Sequence, residues 1–219
     1  VGTEERTIVG VEGAVLTLGS ARERTPGQPL VYRALGQVWL DRAQAHKDRV
    51  YLSKALEALG RGASSPDATS DILTLYGRAL LLDGQFDAAE RALQQASTRY
   101  PLDPASLVLY ATIAERQGHL DASRQALIDY AGLVADDADA VGYAMRIAAL
   151  SVKLNDSPTA VSWLERALRT GPDDVRVLAQ LADAQIRAGD GPAAQTTIAR
   201  GLEKEPNNRA LLALGRRAR

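Results

Sequence analysis

The chain of 219 residues carries 26 Lys and Arg against 27 Asp and Glu, a net charge of −1, and no cysteine. That balance gives no overall pull toward nucleic acid or acidic membranes, and the missing cysteines exclude a disulfide framework and thiolate metal sites. Apolar residues make up 46% but aromatics only 5%, an Ala- and Leu-rich mix that suits close-packed helices better than a sandwich or barrel. The missing cysteines are equally compatible with cytoplasm and periplasm. No run is long or apolar enough to span a bilayer, and the first residues do not read as a secretory signal.

Residues 1–28 carry two conflicting signals. Ala14, Leu18, Ala21 and Pro26 have the spacing of a helix that would be the second half of a truncated unit. Thr7, Ile8, Val9, Val11, Val15 and Thr17 favour strand locally, but burial against a neighbour overrides such propensity. From Pro29 the pattern is clearer. Tyr32, Leu35, Gly36 and Trp39 form an apolar helical stripe, and Leu52, Ala55 and Gly60 form a second, with Asp48 where a small residue is expected. The turn between them is placed near Ala45 and His46, and Arg61 to Asp67 read as a Gly/Ser/Pro loop.

The stretch from Ser70 to Pro101 states the pattern most plainly. Leu73, Tyr76 and Leu80 make one stripe, Gly84 breaks it, and Phe86, Ala89, Leu93 and Ala96 make a second that Pro101 ends. Gly77 and Ala89 stand where two helices would approach closely. The pattern then repeats. Leu107, Tyr110, Ala111 and Ala114 precede Gly118, and Ser123, Leu127 and Tyr130 follow it. Ala144, Ile147 and Ala148 lead to Asn155, which suits the left-handed turn position almost as glycine does, then Ala160, Leu164, Ala167 and Pro172. Leu178, Leu181 and Ala182 lead to Gly189, then Ala194, Ile198, Gly201 and Pro206. The steps between first stripes are 34, 37, 34 and 34 residues, the surplus lying around Asp136, Asp137 and Asp139. Arg209 to Arg216 read as a closing helix.

These residues resemble the tetratricopeptide repeat, whose 34-residue pattern places W-x2-L-G-x2-Y before A-x3-F and a terminal Pro. The resemblance implies an all-α, right-handed α-solenoid of stacked antiparallel helix pairs. It divides the chain into a partial unit at 1–28, five repeats over 29–206 (29–60, 70–101, 104–135, 141–172 and 175–206) and a capping helix at 207–219. It also implies a groove lined by first helices, in which the family mostly binds peptide segments of other proteins. Its inward places hold Arg33, Gln37 and Asp41, then Asp71, Thr74 and Arg78, then Val108, Thr112, Glu115 and Arg116. Met145, Arg146 and Lys153 come next, and Arg176, Ala179, Asp183 and Arg187 last. The asparagines with which some members clamp a C-terminal carboxylate are missing. The candidate partner-binding residues are Arg78, Val108, Thr112, Arg116, Met145, Arg146, Lys153, Arg176 and Arg187, a basic and apolar set opposed by Glu115 and Asp183.

Catalytic and cofactor signatures are absent from the sequence: there is no phosphate loop, nucleophile elbow or HExxH. His46 and His119 lack spaced partner ligands. The aspartate cluster at 136–139 lacks the glycine and glutamate of a calcium loop and reads as helix capping, as do Asp103, Asp173-Asp174 and Asn207-Asn208. Trp39 reads as core, and Trp163 as a packing residue beside the stripe. The expected function is a protein–protein interaction scaffold, neither an enzyme nor a cofactor carrier, whose partner is a peptide or helix with acidic and apolar residues. Competing readings are a self-associating assembly module, a helical-repeat RNA binder, which the near-zero charge opposes, and a substrate-positioning segment of a larger enzyme.

Overall fold

The computed structural model describes residues 28–134, 138–171 and 173–218. Eleven α-helices and no strand lie among them. The expectations for residues 1–28 before Gln28, for Asp136 and Asp137, and for Pro172 fall outside the described residues. The chain forms two compact units, Val1–Ile113 and Ala114–Arg219.

In the first unit, α1 (Pro29–His46) pairs with α2 (Arg49–Ala63), and α3 (Ser70–Asp83) pairs with α4 (Phe86–Ala96). Pro29 opens α1, where its missing N–H costs nothing. The core is built from Leu35, Leu40, Ala55, Leu59, Ile72, Leu73, Ala79 and Leu93. Gly77 is needed for close approach: a Cβ there would lie 2.5 Å from Leu93 Cγ of the paired helix. Gly36 meets Leu59 in the same way. The buried Ser70 hydroxyl donates to Ala96 O at 2.8 Å and accepts from Asp103 N at 3.0 Å, tying the end of α4 to the approach of α5 (Pro104–Arg116). Asp103 in turn caps α5 by accepting from Ala105 N.

The first hairpin departs from the sequence expectation. α1 runs through Ala45 and His46, and Lys47, at φ 52°, takes the left-handed turn. Asp48 is a cap that accepts from Val50 N at 2.8 Å, not a packing position. α1 is 18 residues long, Gly36 faces Leu59, and α2 continues past Gly60 to Ala63. The loop therefore starts at Ser64 rather than Arg61. Trp39 is half-buried, because Leu40 and Ala43 take the core positions. Its ring stacks on Tyr51 at 5.7 Å, under Lys54 and Arg42. Likewise α4 closes at Ala96, ahead of Pro101.

In the second unit, α6 (Leu120–Leu133) packs on α7 (Ala140–Lys153), α7 on α8 (Ser157–Thr170), α8 on α9 (Val175–Arg187), α9 on α10 (Gly191–Lys204), and α10 on α11 (Arg209–Arg217). Its buried residues include Ala144, Ile147, Leu164, Leu178, Leu181 and Leu211. Asp156, Asp174, Asp190 and Asn208 cap α8 to α11 through backbone N–H groups. Asp139 is the N-cap residue of α7, its carbonyl accepting from Tyr143 N at 3.0 Å rather than its side chain capping, and its carboxylate lies over Gly142.

One turn recurs in both units. Gly84, Gly118, Asn155 and Gly189 all have positive φ, between 59° and 85°. In each case the following residue donates its N–H back to a carbonyl five positions earlier: Gln85 to Leu80, His119 to Ala114, Asp156 to Ser151 and Asp190 to Gln185. The left-handed residue itself donates three positions back, Gly84 to Leu81, Gly118 to Glu115, Asn155 to Val152 and Gly189 to Ile186, and this double closure satisfies carbonyls that the helix end would leave open. It recurs at the 34-, 37- and 34-residue steps of the sequence pattern.

Candidate functional site

A cleft of about 540 Å³ opens in the second unit on α7, α9 and α11. Small side chains make its surface, among them Ala148, Ala149, Val152, Ala179, Ala210 and Ala213, with Leu164 and Leu214 beneath. Because α9 packs on both α7 and α11, the cleft has α9 as its middle and the other two as walls. Lys153 stands on the α7 wall, Asp183 on α9 and Arg217 on the α11 wall. The floor is shallow because the repeat puts residues with little or no side-chain length at these places.

Two carboxylates organise the charges around it. Glu115 accepts from Arg146 at 3.0 Å and from Lys153 at 3.3 Å, one oxygen for each. Asp183 accepts from Arg187 at 2.6 Å and from Arg217 at 2.8 Å, again one oxygen each. Burial pushes both carboxyls up, but the hydrogen bonds and charges of their paired cations outweigh it and hold each below its ordinary value. The anions sit deeper than most of the cations. Side-chain exposure is 29% for Glu115 and 26% for Asp183, against 53% for Lys153, 47% for Arg187 and 51% for Arg217. In each group one anion holds two cations, and Lys153, Arg187 and Arg217 are the outer members.

The structure distributes the nine candidate residues unevenly. Arg146, Lys153 and Arg187 join the two charge groups just described. Arg116 is exposed in the last turn of α5. Met145 is half-buried against the cluster of Ala144, Ala160 and Leu164. Arg176 is turned back onto Asp174 at the start of its own helix, 2.7 Å away, with its side chain 81% exposed. Arg78, Val108 and Thr112 belong to the first unit, where Arg78 and Val108 are half-buried and the Thr112 hydroxyl donates to Val108 O. Arg217 and all the alanines of the cleft lie outside that set, Ala179 having been named only as an inward place. The sequence held a signal for them: Arg217 lies 34 residues after Asp183, and Ala213 lies 34 after Ala179, so both occupy repeats of inward places. Among the described residues no three metal-ligating side chains converge, and no helix is long and apolar enough to cross a membrane.

The tetratricopeptide repeat family matches residues 74–138 and again 152–218. Together the matches cover more than half of the chain, and the chain belongs to this family. Comparison with curated protein sequences gives no match. Among solved structures, YrrB, described as a TPR protein with an unusual peptide-binding site, is similar at TM-score 0.67 and 10% identity over 91% of this chain and 97% of its own. MamA AMB-1 is similar at TM-score 0.62 and 18% identity, over 85% of this chain and 97% of its own. Pseudomonas aeruginosa pilF is similar at 0.56 and 16%, over 97% and 92%. These likenesses show the fold, an α-solenoid built of antiparallel helix pairs. Repeats of this kind are in general non-enzymatic scaffolds for binding other proteins.

Proposed function

We propose that the chain binds a peptide or helical segment of a partner protein, and that the cleft on α7, α9 and α11 takes the segment's apolar side chains. The single observation that carries this reading is the combination in one place of a small-residue apolar floor with outward-turned cations on both walls. An acidic and apolar segment complements both features. Phosphate recognition would need a more basic surface than a chain of net charge −1 provides. That YrrB is described as having a peptide-binding site is in keeping with a peptide ligand here.

The test is selection of peptides from a random display library on the purified chain, followed by affinity measurement with the selected peptides. Ala179→Arg, which fills the cleft, should weaken them about tenfold or more, roughly 1.4 kcal/mol. Joint reversal of Arg116, Lys153 and Arg187 to glutamate should do the same with helicity intact. Reversal of the exposed Arg91 on α4 should change little. Selected peptides indifferent to Ala179→Arg would place binding elsewhere. End-to-end self-association is a second reading, favoured by the exposed Leu212 on α11, and a strictly monomeric chain in light scattering would remove it.

A further inference from the structure

The two charge groups beside the cleft differ from ordinary surface ion pairs in their arithmetic. A lone pair is neutral and presents little to a partner, and its net worth in water is small. Here one carboxylate holds two cations, each through a different oxygen, so the cations of each group outnumber the anion that holds them. The carboxylates lie deeper than Lys153, Arg187 and Arg217, so those cations meet an arriving segment first. The members also come from different helices: α5 supplies Glu115 and α7 its cations, while α9 supplies Asp183 and Arg187, and α11 supplies Arg217. Long side chains that would otherwise sample many rotamers are thereby tethered before anything binds, which lowers the ordering cost of recognition.

We infer that Glu115 and Asp183 are positioning residues that make the cleft selective for an apolar side chain flanked on both sides by carboxylates. One flank meets Lys153 on the α7 wall, the other Arg217 on the α11 wall. The inference rests on the reading of the cleft as the binding surface. It makes a prediction that simple charge counting reverses. Neutralising Glu115 or Asp183 makes the surface more positive, so long-range attraction alone would tighten an acidic ligand. If the carboxylates act by holding the cations, neutralising them weakens it instead.

The chain also contains its own control. Asp173 holds Arg200 at 2.6 Å and Lys204 at 3.1 Å in the same one-to-two manner, yet none of these three lines the cleft.

The experiment uses the tightest peptide selected by the display library on the wild-type chain, and a copy with each Asp and Glu replaced by Asn and Gln. The measured quantity is the ratio of the two affinities, in the wild type and in Glu115→Gln, Asp183→Asn and Asp173→Asn. The wild-type ratio should be about tenfold or more in favour of the acidic peptide, from two flanking contacts of the size expected for partly exposed pairs. Glu115→Gln and Asp183→Asn should each lower it about threefold, and Asp173→Asn should leave it unchanged. A merely structural role would weaken both peptides alike and leave the ratio in place. Should either variant lose its helical circular dichroism signal, Glu115→Asp or Asp183→Glu keeps the charge with altered reach and should lower the ratio partially. A ratio that stays constant or rises in the Glu115 and Asp183 variants overturns the inference. So does a selected peptide without acidic residues. In both cases sensitivity to Ala179→Arg would still uphold the cleft itself, whereas insensitivity to that variant would defeat the reading beneath.

Discussion

At the scale of single residues, the closest contacts in the fold are the small ones. Ala89 is fully buried between α3 and α4, while Gln94 on the same helix faces solvent. Ala89→Leu should overpack the hairpin and destabilise the protein by about 1–3 kcal/mol. Gln94→Leu should stay within about 0.5 kcal/mol, and equal melting shifts for the two would contradict the packing described. Charge adds a pH dependence whose sign is fixed. Glu115 and Asp183 have carboxyls held below their ordinary values of 4.5 and 3.8. A lowered carboxyl contributes stability above its unfolded value and loses it as pH falls through the folded one. Stability should therefore decline below about pH 4.5, and the decline should be shallower in the Glu115→Gln, Asp183→Asn double variant. An identical acid titration by denaturant melts would show that these pairs contribute nothing to folding.

At the scale of helices, the terminal one is the most instructive. Leu211 and Leu214 of α11 are buried against Ala182 and Ile198, while Leu212 between them is 45% exposed. Leu211→Ala should cost about 2–5 kcal/mol, Leu212→Ala far less. Circular dichroism melts of the two variants check this, and a larger shift from Leu212 would mean that α11 packs through another face. Helices were also where the sequence spoke most clearly. The turns at Gly84, Gly118, Asn155 and Gly189 could be read because a left-handed backbone demands particular residues. The first hairpin was misread for the same reason: its left-handed residue is Lys47, which carries no such mark, so the extra turn of α1 went unseen. Asp48 then fell where a packing residue was expected. The site was legible only as a row of inward places. Nothing local to Arg146, Lys153 or Arg217 says that they share carboxylates, because those pairings join residues 31 to 38 apart on different helices.

At the scale of the whole molecule, the repeated hairpin sets how stability is distributed. Within each unit a helix pair buries its stripe partly against the next, as α2 does against α3 and α9 against α8 and α11, so neighbour contacts and not one central core carry each unit. Removing residues 173–219 takes away α9, α10 and α11 and uncovers α8 at Ala160 and Leu164, which belong to the same buried cluster as Val177 and Leu181. The pairs that remain keep their own capping turns, including the closures at Gly84, Gly118 and Asn155. A chain with one shared core would lose cooperative structure altogether when cut there. The truncated protein should instead stay helical, melt at a lower temperature and expose more apolar surface to a reporter dye. Its helical signal per residue should remain near that of the full chain, because the lost helices contributed in proportion to their number. Complete loss of helix on truncation would contradict the neighbour-by-neighbour account.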